Sequence, residues 1–266
     1  MRRLEERIER AQRGGPGEIR QLVHDPALEV LDALLQNPFL SEEHLLTLLN
    51  RKDLPREFLE AMAKNEELMR SQRVKAAMVQ NPKTPRLVAL GLLKFLYLFD
   101  LVTVSLQPAV PAEIKRLAED RILNRIQQLP VGQQIALARR GSARVVAGLL
   151  MEGNEPVIGP ALDNVFLTEG ELIRVLRRDE LPEAVVEQMA QHPKWSRRYD
   201  LRLQLVRHPL TPLATALGFL PELKVADLRL LATDKRMRPT LREYVREEAQ
   251  RRLRRRKDFG TTDAHG

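Results

Sequence analysis

The sequence predicts an all-α protein of two tandem halves, residues 1–127 and 128–254, and three observations carry that prediction. Residues recur at a constant offset of 127 along nearly the whole chain of 266. Helix-breaking pairs built on proline recur about every 12–20 residues. Between the breakers the apolar residues fall at helical spacing and not at the alternation of a strand. The recurrence is read first, because an internal repeat decides the fold. Arg13-Gly14 returns as Arg140-Gly141, Leu22 as Leu149, and Phe39-Leu40-Ser41-Glu42 as Phe166-Leu167-Thr168-Glu169. Leu54-Pro55 returns as Leu181-Pro182, Met62-Ala63 as Met189-Ala190, Thr84-Pro85 as Thr211-Pro212, Ala89-Leu90-Gly91 as Ala216-Leu217-Gly218, and Asp100-Leu101 as Asp227-Leu228. No gap is needed. Roughly a quarter of positions 4–122 match their partners, against about one in fifteen expected for this composition. The expected organisation is 1–127 and 128–254 as one continuous domain, then a basic, flexible tail over 255–266.

Within each half a smaller unit repeats loosely. Leu34–Leu49 reads LLQNPFLSEEHLLTLL, Arg73–Leu93 reads RVKAAMVQNPKTPRLVALGLL, and Leu205–Leu220 reads LVRHPLTPLATALGFL. Asn-Pro or His-Pro ends a helix, because the residue before proline is pushed out of the α region. Ser41, Thr84, Thr168 and Thr211 stand where an N-cap oxygen is wanted. Pro85 and Pro212 are expected at the first helical position, where a missing N–H costs nothing. Leu45, Leu46 and Leu49 then form one buried stripe. The spacing of breakers predicts about seventeen short helices and no strands.

Short amphipathic helices are unstable alone and must bury their stripes on neighbours. Antiparallel pairs stacked in sequence, a right-handed α-solenoid, do this. The runs AMVQNPKTPRLVALGLL and LVRHPLTPLATALGFL resemble the leucine-rich repeat variant pattern, with its apolar–Asn-Pro–x–Thr-Pro–apolar core. The wider architecture is similar to HEAT-like helical repeats. That resemblance implies a fold and a binding scaffold without naming a ligand. The iron–sulfur binding of some variant-repeat proteins does not carry over, because the chain has no cysteine.

The absent cysteines also exclude disulfides, thiolate zinc sites and a cysteine nucleophile. No H-E-x-x-H, G-x-S-x-G or phosphate-binding glycine motif is present. The histidines are His24, His44, His192, His208 and His265. At the repeat offset, His192 answers to Asn65 and His208 to Asn81, which marks both as cap or turn residues. His44 is expected exposed in mid-helix. Gly14-Gly15 and Gly141 read as turn glycines. The acid pairs Glu42-Glu43, Glu66-Glu67, Glu119-Asp120 and Glu247-Glu248 read as helix first turns or solvated faces. Trp195 to Asp200 is the one cluster joining aromatic, basic and acidic residues. It resembles the equipment of a HEAT-like DNA glycosylase class, but the simpler reading packs Trp195 in the loop where Leu68 stands in the first half. No enzyme activity, cofactor or metal is therefore expected.

The formal charge of +8 is unevenly placed. Residues 1–234 carry a net +2, residues 235–257 carry +8 and residues 258–266 carry −2. A polyanion site is therefore expected at Arg251, Arg252, Arg254, Arg255, Arg256 and Lys257, facing nucleic acid or anionic lipid through counterion release. The most apolar run, Val88–Leu106, contains Lys94 and Asp100, so no membrane span is read there. The N-terminal MRRLEERIERAQRGG lacks an apolar stretch after its basic residues, so no secretory signal is read and a cytoplasmic location is expected.

The halves disagree most usefully near residue 95. Phe95, Tyr97 and Val102 stand where the second half has Glu222, Lys224 and Arg229, and Phe99 stands opposite Ala226. Charged residues are rarely buried without partners, so these positions are expected to be exposed in both halves. Phe95, Tyr97, Phe99 and Val102 would then form an apolar patch for a protein partner or for self-association. The expected function is a non-catalytic scaffold for protein–protein interaction. The alternative is a nucleic-acid-binding protein, a repair enzyme among them, working through its basic C-terminal end.

Overall fold

Apolar stripes broken by caps every two to three turns leave the chain one way to bury its surface, which is helix on helix. The computed structural model describes the backbone of residues 2–178 and 180–260, and the side chains of residues 3–178 and 180–254. The described residues form eighteen α-helices and three short 3-10 turns joined by loops, and no strand occurs among them. No helix among them is long and apolar enough to cross a membrane.

The chain divides into two compact units, Met1–Asn124 and Arg125–Gly266. The first holds α1 (Arg2–Arg13), α2 (Pro16–Leu22), α3 (Leu28–Leu34), α4 (Glu42–Leu49), α5 (Arg56–Lys64), α6 (Gln72–Gln80), α7 (Arg86–Leu93), α8 (Leu98–Leu106) and α9 (Ala112–Leu123). Val88–Leu106 is thus two helices. The second unit holds α10 (Val131–Arg140), α11 (Ala143–Glu152), α12 (Glu155–Leu162), α13 (Glu169–Leu176), α14 (Glu183–Gln191), α15 (Tyr199–Arg207), α16 (Leu213–Phe219), α17 (Val225–Leu231) and α18 (Pro239–Gly260). At the offset found in the sequence, α4, α5 and α6 coincide at both ends with α13, α14 and α15. At the same offset α2, α3, α7, α8 and α9 coincide in their first residue with α11, α12, α16, α17 and α18.

Inside each unit a helix packs on its neighbour and on the helix two places along. In the first, α1 packs on α3, α3 on α5, α4 on α6, α6 on α8 and α7 on α9. In the second, α10 packs on α12, α12 on α14, α11 on α13, α13 on α15 and α16 on α18. The buried stripes between these rows are mainly aliphatic. Ile19, Leu31, Leu34, Leu48, Phe58, Leu59 and Met62 have lost nearly all contact with water in the first unit. Val206, Ala216, Leu228, Leu231, Leu241 and Val245 do the same under the last three helices of the second. Each such Leu or Phe contributes about 1.5–3 kcal/mol relative to exposure.

Helix ends in these rows leave carbonyls without an intrahelical partner, and side-chain amides from a later turn satisfy them. Asn37 Nδ2 donates to Ala11 O (2.8 Å) and Gly14 O (3.0 Å), while its Oδ1 accepts from Phe39 N (2.8 Å). The second unit repeats these bonds at the equivalent residues. Asn164 Nδ2 donates to Ala138 O (2.7 Å) and Gly141 O (3.2 Å), and its Oδ1 accepts from Phe166 N (2.7 Å). Asn81 does likewise for Leu49 O (2.9 Å) and Arg51 O (2.8 Å). In the Asn-Pro pairs at 37 and 81 the asparagine is therefore a buried clamp as well as a helix stop.

The turns depart from the sequence reading in several places. Ser41 and Thr168 do cap α4 and α13. Thr84 and Thr211 do not cap. Their hydroxyls donate backward to Met78 O (2.5 Å) and Leu205 O (2.6 Å) in the helix just ended, so Pro85 and Pro212 become the N-cap residues. His44 is buried and not exposed, because its Nδ1 accepts from Ser41 N (3.2 Å) and completes the cap of α4. The buried stripe of α4 accordingly runs through Leu45, Leu48 and Leu49, with Leu46 only half-buried. Gly14 and Gly141 are close-approach glycines, since a Cβ there would lie 2.3 Å from Arg10 O and 2.7 Å from Leu137 O. Among the described residues, Gly153 is the position with a left-handed backbone, at a φ of 67°.

The clamps predict a stability cost. Asn164→Ala leaves Ala138 O, Gly141 O and Phe166 N without the side-chain partner they have in a site only 2% exposed. It should lower unfolding free energy by about 2–3 kcal/mol in urea titration, and Asn164→Asp, which keeps the acceptor alone, should also destabilise.

Candidate functional site

Phe95, one of the exposed aromatic side chains of the first unit, lines a groove between α5 and α7. Ala63, Leu87, Val88, Gly91, Leu92 and Phe95 line it, and its volume is about 490 Å³. Leu87 is 76% exposed and Phe95 48%. The rim is basic. Arg56 and Lys64 stand on the α5 side and Lys94 on the α7 side, with Glu60 the lone acid, 3.4 Å from Arg56. Phe95 lies between two ammonium groups, with Lys75 Nζ 5.0 Å and Lys94 Nζ 4.8 Å from its ring centre. Each such contact favours the ring staying where the cations can reach it.

The equivalent residues of the second unit build a different surface. Leu87 is replaced by Ala214, Arg56 by Glu183, Lys64 by Gln191, Lys94 by Pro221 and Phe95 by Glu222. Lys75 becomes Arg202, whose guanidinium pairs with Glu222. The cation stays and its partner changes from a ring to a carboxylate. Apolar wall and basic rim are thus properties of the first unit alone. Setting Leu87 beside Ala214 and Arg56 beside Glu183 would have found the groove from sequence. Neither pair involves an aromatic residue, and the aromatics alone drew the expected patch.

That patch divides. Phe95 and Tyr97 (64% exposed) are on the surface, and Phe99 is half-buried. Val102 is buried at 4%, contrary to expectation. It lies with Leu101 and Ser105 on the face of α8 that is buried as α8 packs against α9. Its counterpart Arg229 is exposed on the shorter α17. Equal burial at aligned positions fails here because packing covers one of the two and leaves the other open.

Of the expected basic cluster, Arg252 is consumed structurally. It donates to Leu223 O (2.7 Å) and Leu220 O (2.8 Å) and pairs with Glu248 (2.7 Å). Arg251 also pairs with Glu248. Arg254 is exposed, and the side chains of Arg255, Arg256 and Lys257 lie outside the described residues. The tail expected over 255–266 is helix as far as Gly260, and residues 261–266 lie outside the described residues. Trp195 is buried, and its Nε1 donates to Leu162 O (2.7 Å), so it closes a helix end in keeping with the simpler reading. His192 and His208 follow α14 and α15 as C-cap residues.

The perturbed titrating groups trace to such contacts. Glu42 is held below its ordinary range chiefly by the Ser71 hydroxyl, which donates to it at 2.6 Å, with Arg73 adding to the effect. Tyr199 is pushed up by burial and by donating to Asp227, which lies in the first turn of α17. Burial pushes His208 down. The chain matches no protein-family model, no curated protein and no solved structure.

The buried and exposed members of the patch should respond differently to charge. Val102→Arg places a charge on a buried face and should destabilise by more than about 3 kcal/mol, whereas Phe95→Glu with Tyr97→Lys should leave the melting temperature unchanged. Circular dichroism melts separate the two. For His208, the folded state takes up a proton less readily than the unfolded chain. Its contribution to stability should therefore be fully present above the ordinary histidine value and decline as pH falls through it. His208→Asn, the residue found at position 81, should remove that part of the decline in denaturant titrations run on either side of about pH 6.5.

Proposed function

We propose that this chain is a non-catalytic helical-repeat scaffold whose α5–α7 groove takes an acidic amphipathic helix from a protein partner. The observation that carries the reading is the groove itself, an exposed Leu87–Phe95 wall inside a rim of Arg56, Lys64 and Lys94. Apolar anchors at i, i+3/i+4 and i+7 fit such a channel, and flanking carboxylates would meet the rim. The groove is a feature of one unit only, which is what a surface retained for binding requires and a surface retained for folding does not.

The architecture suits that role. Two duplicated halves joined as a right-handed solenoid, of HEAT-like or leucine-rich-repeat-variant type, would account for the constant offset between helix starts, for matching Asn37 and Asn164 clamps, and for packing of each helix on the one two places along. A duplicated ancestor explains that offset without any gap. The missing cysteines suit work in the reducing cytoplasm.

The test is a displayed library of helical peptides selected on the intact protein. Selected binders should carry acidic flanks, bind more weakly as salt rises, and lose binding to Leu87→Ala with Phe95→Glu, two residues already carried by positions 214 and 222. Binders indifferent to that double substitution would place recognition elsewhere.

A further inference from the structure

The near-neutral charge of residues 1–234 hides three arginines that join Arg236 around a basic hollow in the second unit. It lies at the C-terminal ends of α13 and α15 and encloses about 610 Å³. Arg177, Arg178, Arg207, His208 and Arg236 line it. Among the described residues, one carboxylate answers these four guanidinium groups. Asp234 pairs with Arg207 at 2.5 Å and accepts from Arg236 N at 2.9 Å through its other oxygen. The side chains of Arg177, Arg178 and Arg236 make no ion pair or hydrogen bond with the described residues, and all three are exposed. The Nδ1 atom of His208 accepts from Leu210 N at 3.3 Å, so the neutral ring carries its hydrogen on Nε2. No described protein group takes that hydrogen.

The equivalent residues of the first unit show what the fold alone requires there. Asn50 stands at the position of Arg177, Gln80 at Arg207, Asn81 at His208 and Ala109 at Arg236. Asn81 bonds two carbonyls and is a structural clamp. Arg51, at the position of Arg178, donates to Val23 O (2.8 Å) and Asp25 O (2.9 Å) and pairs with Asp53. Thus the fold closes this corner without Arg177, Arg207 or Arg236, and where it does use an arginine it ties it to backbone. The second unit has three additional guanidinium groups here and leaves the fourth untied among its described residues.

Like charges collected around one concavity repel, and their repulsion is relieved by a bound anion. Guanidinium forks match the oxygens of a phosphate group, two oxygens to a fork. The volume is that of a small-molecule site. We infer that this hollow is a binding site for a compact, multiply charged phosphate, either on a soluble molecule or on a lipid headgroup. The site is independent of the α5–α7 groove and of the arginines near the C-terminus. Its affinity falls with ionic strength, since its main attraction is charge.

The experiment is calorimetric titration of the full chain with inorganic pyrophosphate at low salt, paired with sedimentation on phosphatidylcholine vesicles with and without a phosphoinositide. The informative variant is Arg177→Asn with Arg236→Ala, which installs the residues found at positions 50 and 109 and should leave the melting temperature unchanged. Pyrophosphate should bind one per chain, and the variant should lose at least about tenfold in affinity. Arg251→Ala with Arg254→Ala should bind as the parent does. Phosphoinositide-dependent sedimentation that the first variant abolishes assigns the phosphate to a headgroup, and pyrophosphate binding without sedimentation assigns it to a soluble ligand. No binding of either probe, or binding that survives the first variant, overturns the site.

Discussion

Everything in this structure depends on how a run of very short helices disposes of its end carbonyls. A helix of two turns has at least as many unsatisfied terminal groups as satisfied ones. Packing such ends against a neighbour removes the water that would otherwise serve them, at a cost of about 1–3 kcal/mol for each group left unmade. The chain answers with side-chain donors that reach back to a helix well before their own. Asn37, Asn81 and Asn164 each bridge two carbonyls, the Trp195 indole takes one at Leu162, and Arg252 takes two at Leu220 and Leu223. The donor varies while the duty stays constant. That is why Asn, Trp and Arg can all serve helix ends in one fold.

This division of labour separates residues that hold the fold from residues that do something else. A position whose side chain closes a helix end is explained by the fold. An equivalent position in the other unit that bears a different group, and closes nothing, is not. Leu87 and Phe95 in one unit and Arg177 and Arg236 in the other belong to the second kind. The other unit shows the same turn built from different residues, so the fold does not require those side chains there.

Much of the helical framework was legible from the chain. Proline pairs stop helices through local sterics, and Ser41 or Thr168 caps through a bond to an amide three residues ahead, so both act within one turn. The misreadings arose where the partner lay behind or across. Thr84 looks forward in sequence as a cap, yet its hydroxyl closes the helix already finished. His44 looks exposed in a helical projection, yet it folds back on Ser41. Val102 carried the exposure of Arg229 by analogy, and packing on α9 decided otherwise. The basic hollow escaped notice for a related reason. Net charge sums over residues without position, so carboxylates scattered elsewhere cancelled Arg177, Arg178 and Arg207, and Arg236 was counted with the C-terminal excess.

The short reach of the asparagine clamps has a kinetic consequence. Closing a loop of roughly 25–30 residues costs only modest chain entropy, and the cost grows slowly with length. Each clamp can therefore form while distant parts of its unit remain open, and native contacts accumulate from neighbours outward. Proteins dominated by such near-sequence contacts fold rapidly for their size. They also open in pieces, so amide protons near the last clamp of a unit exchange by local fraying while those between two clamps wait for larger openings.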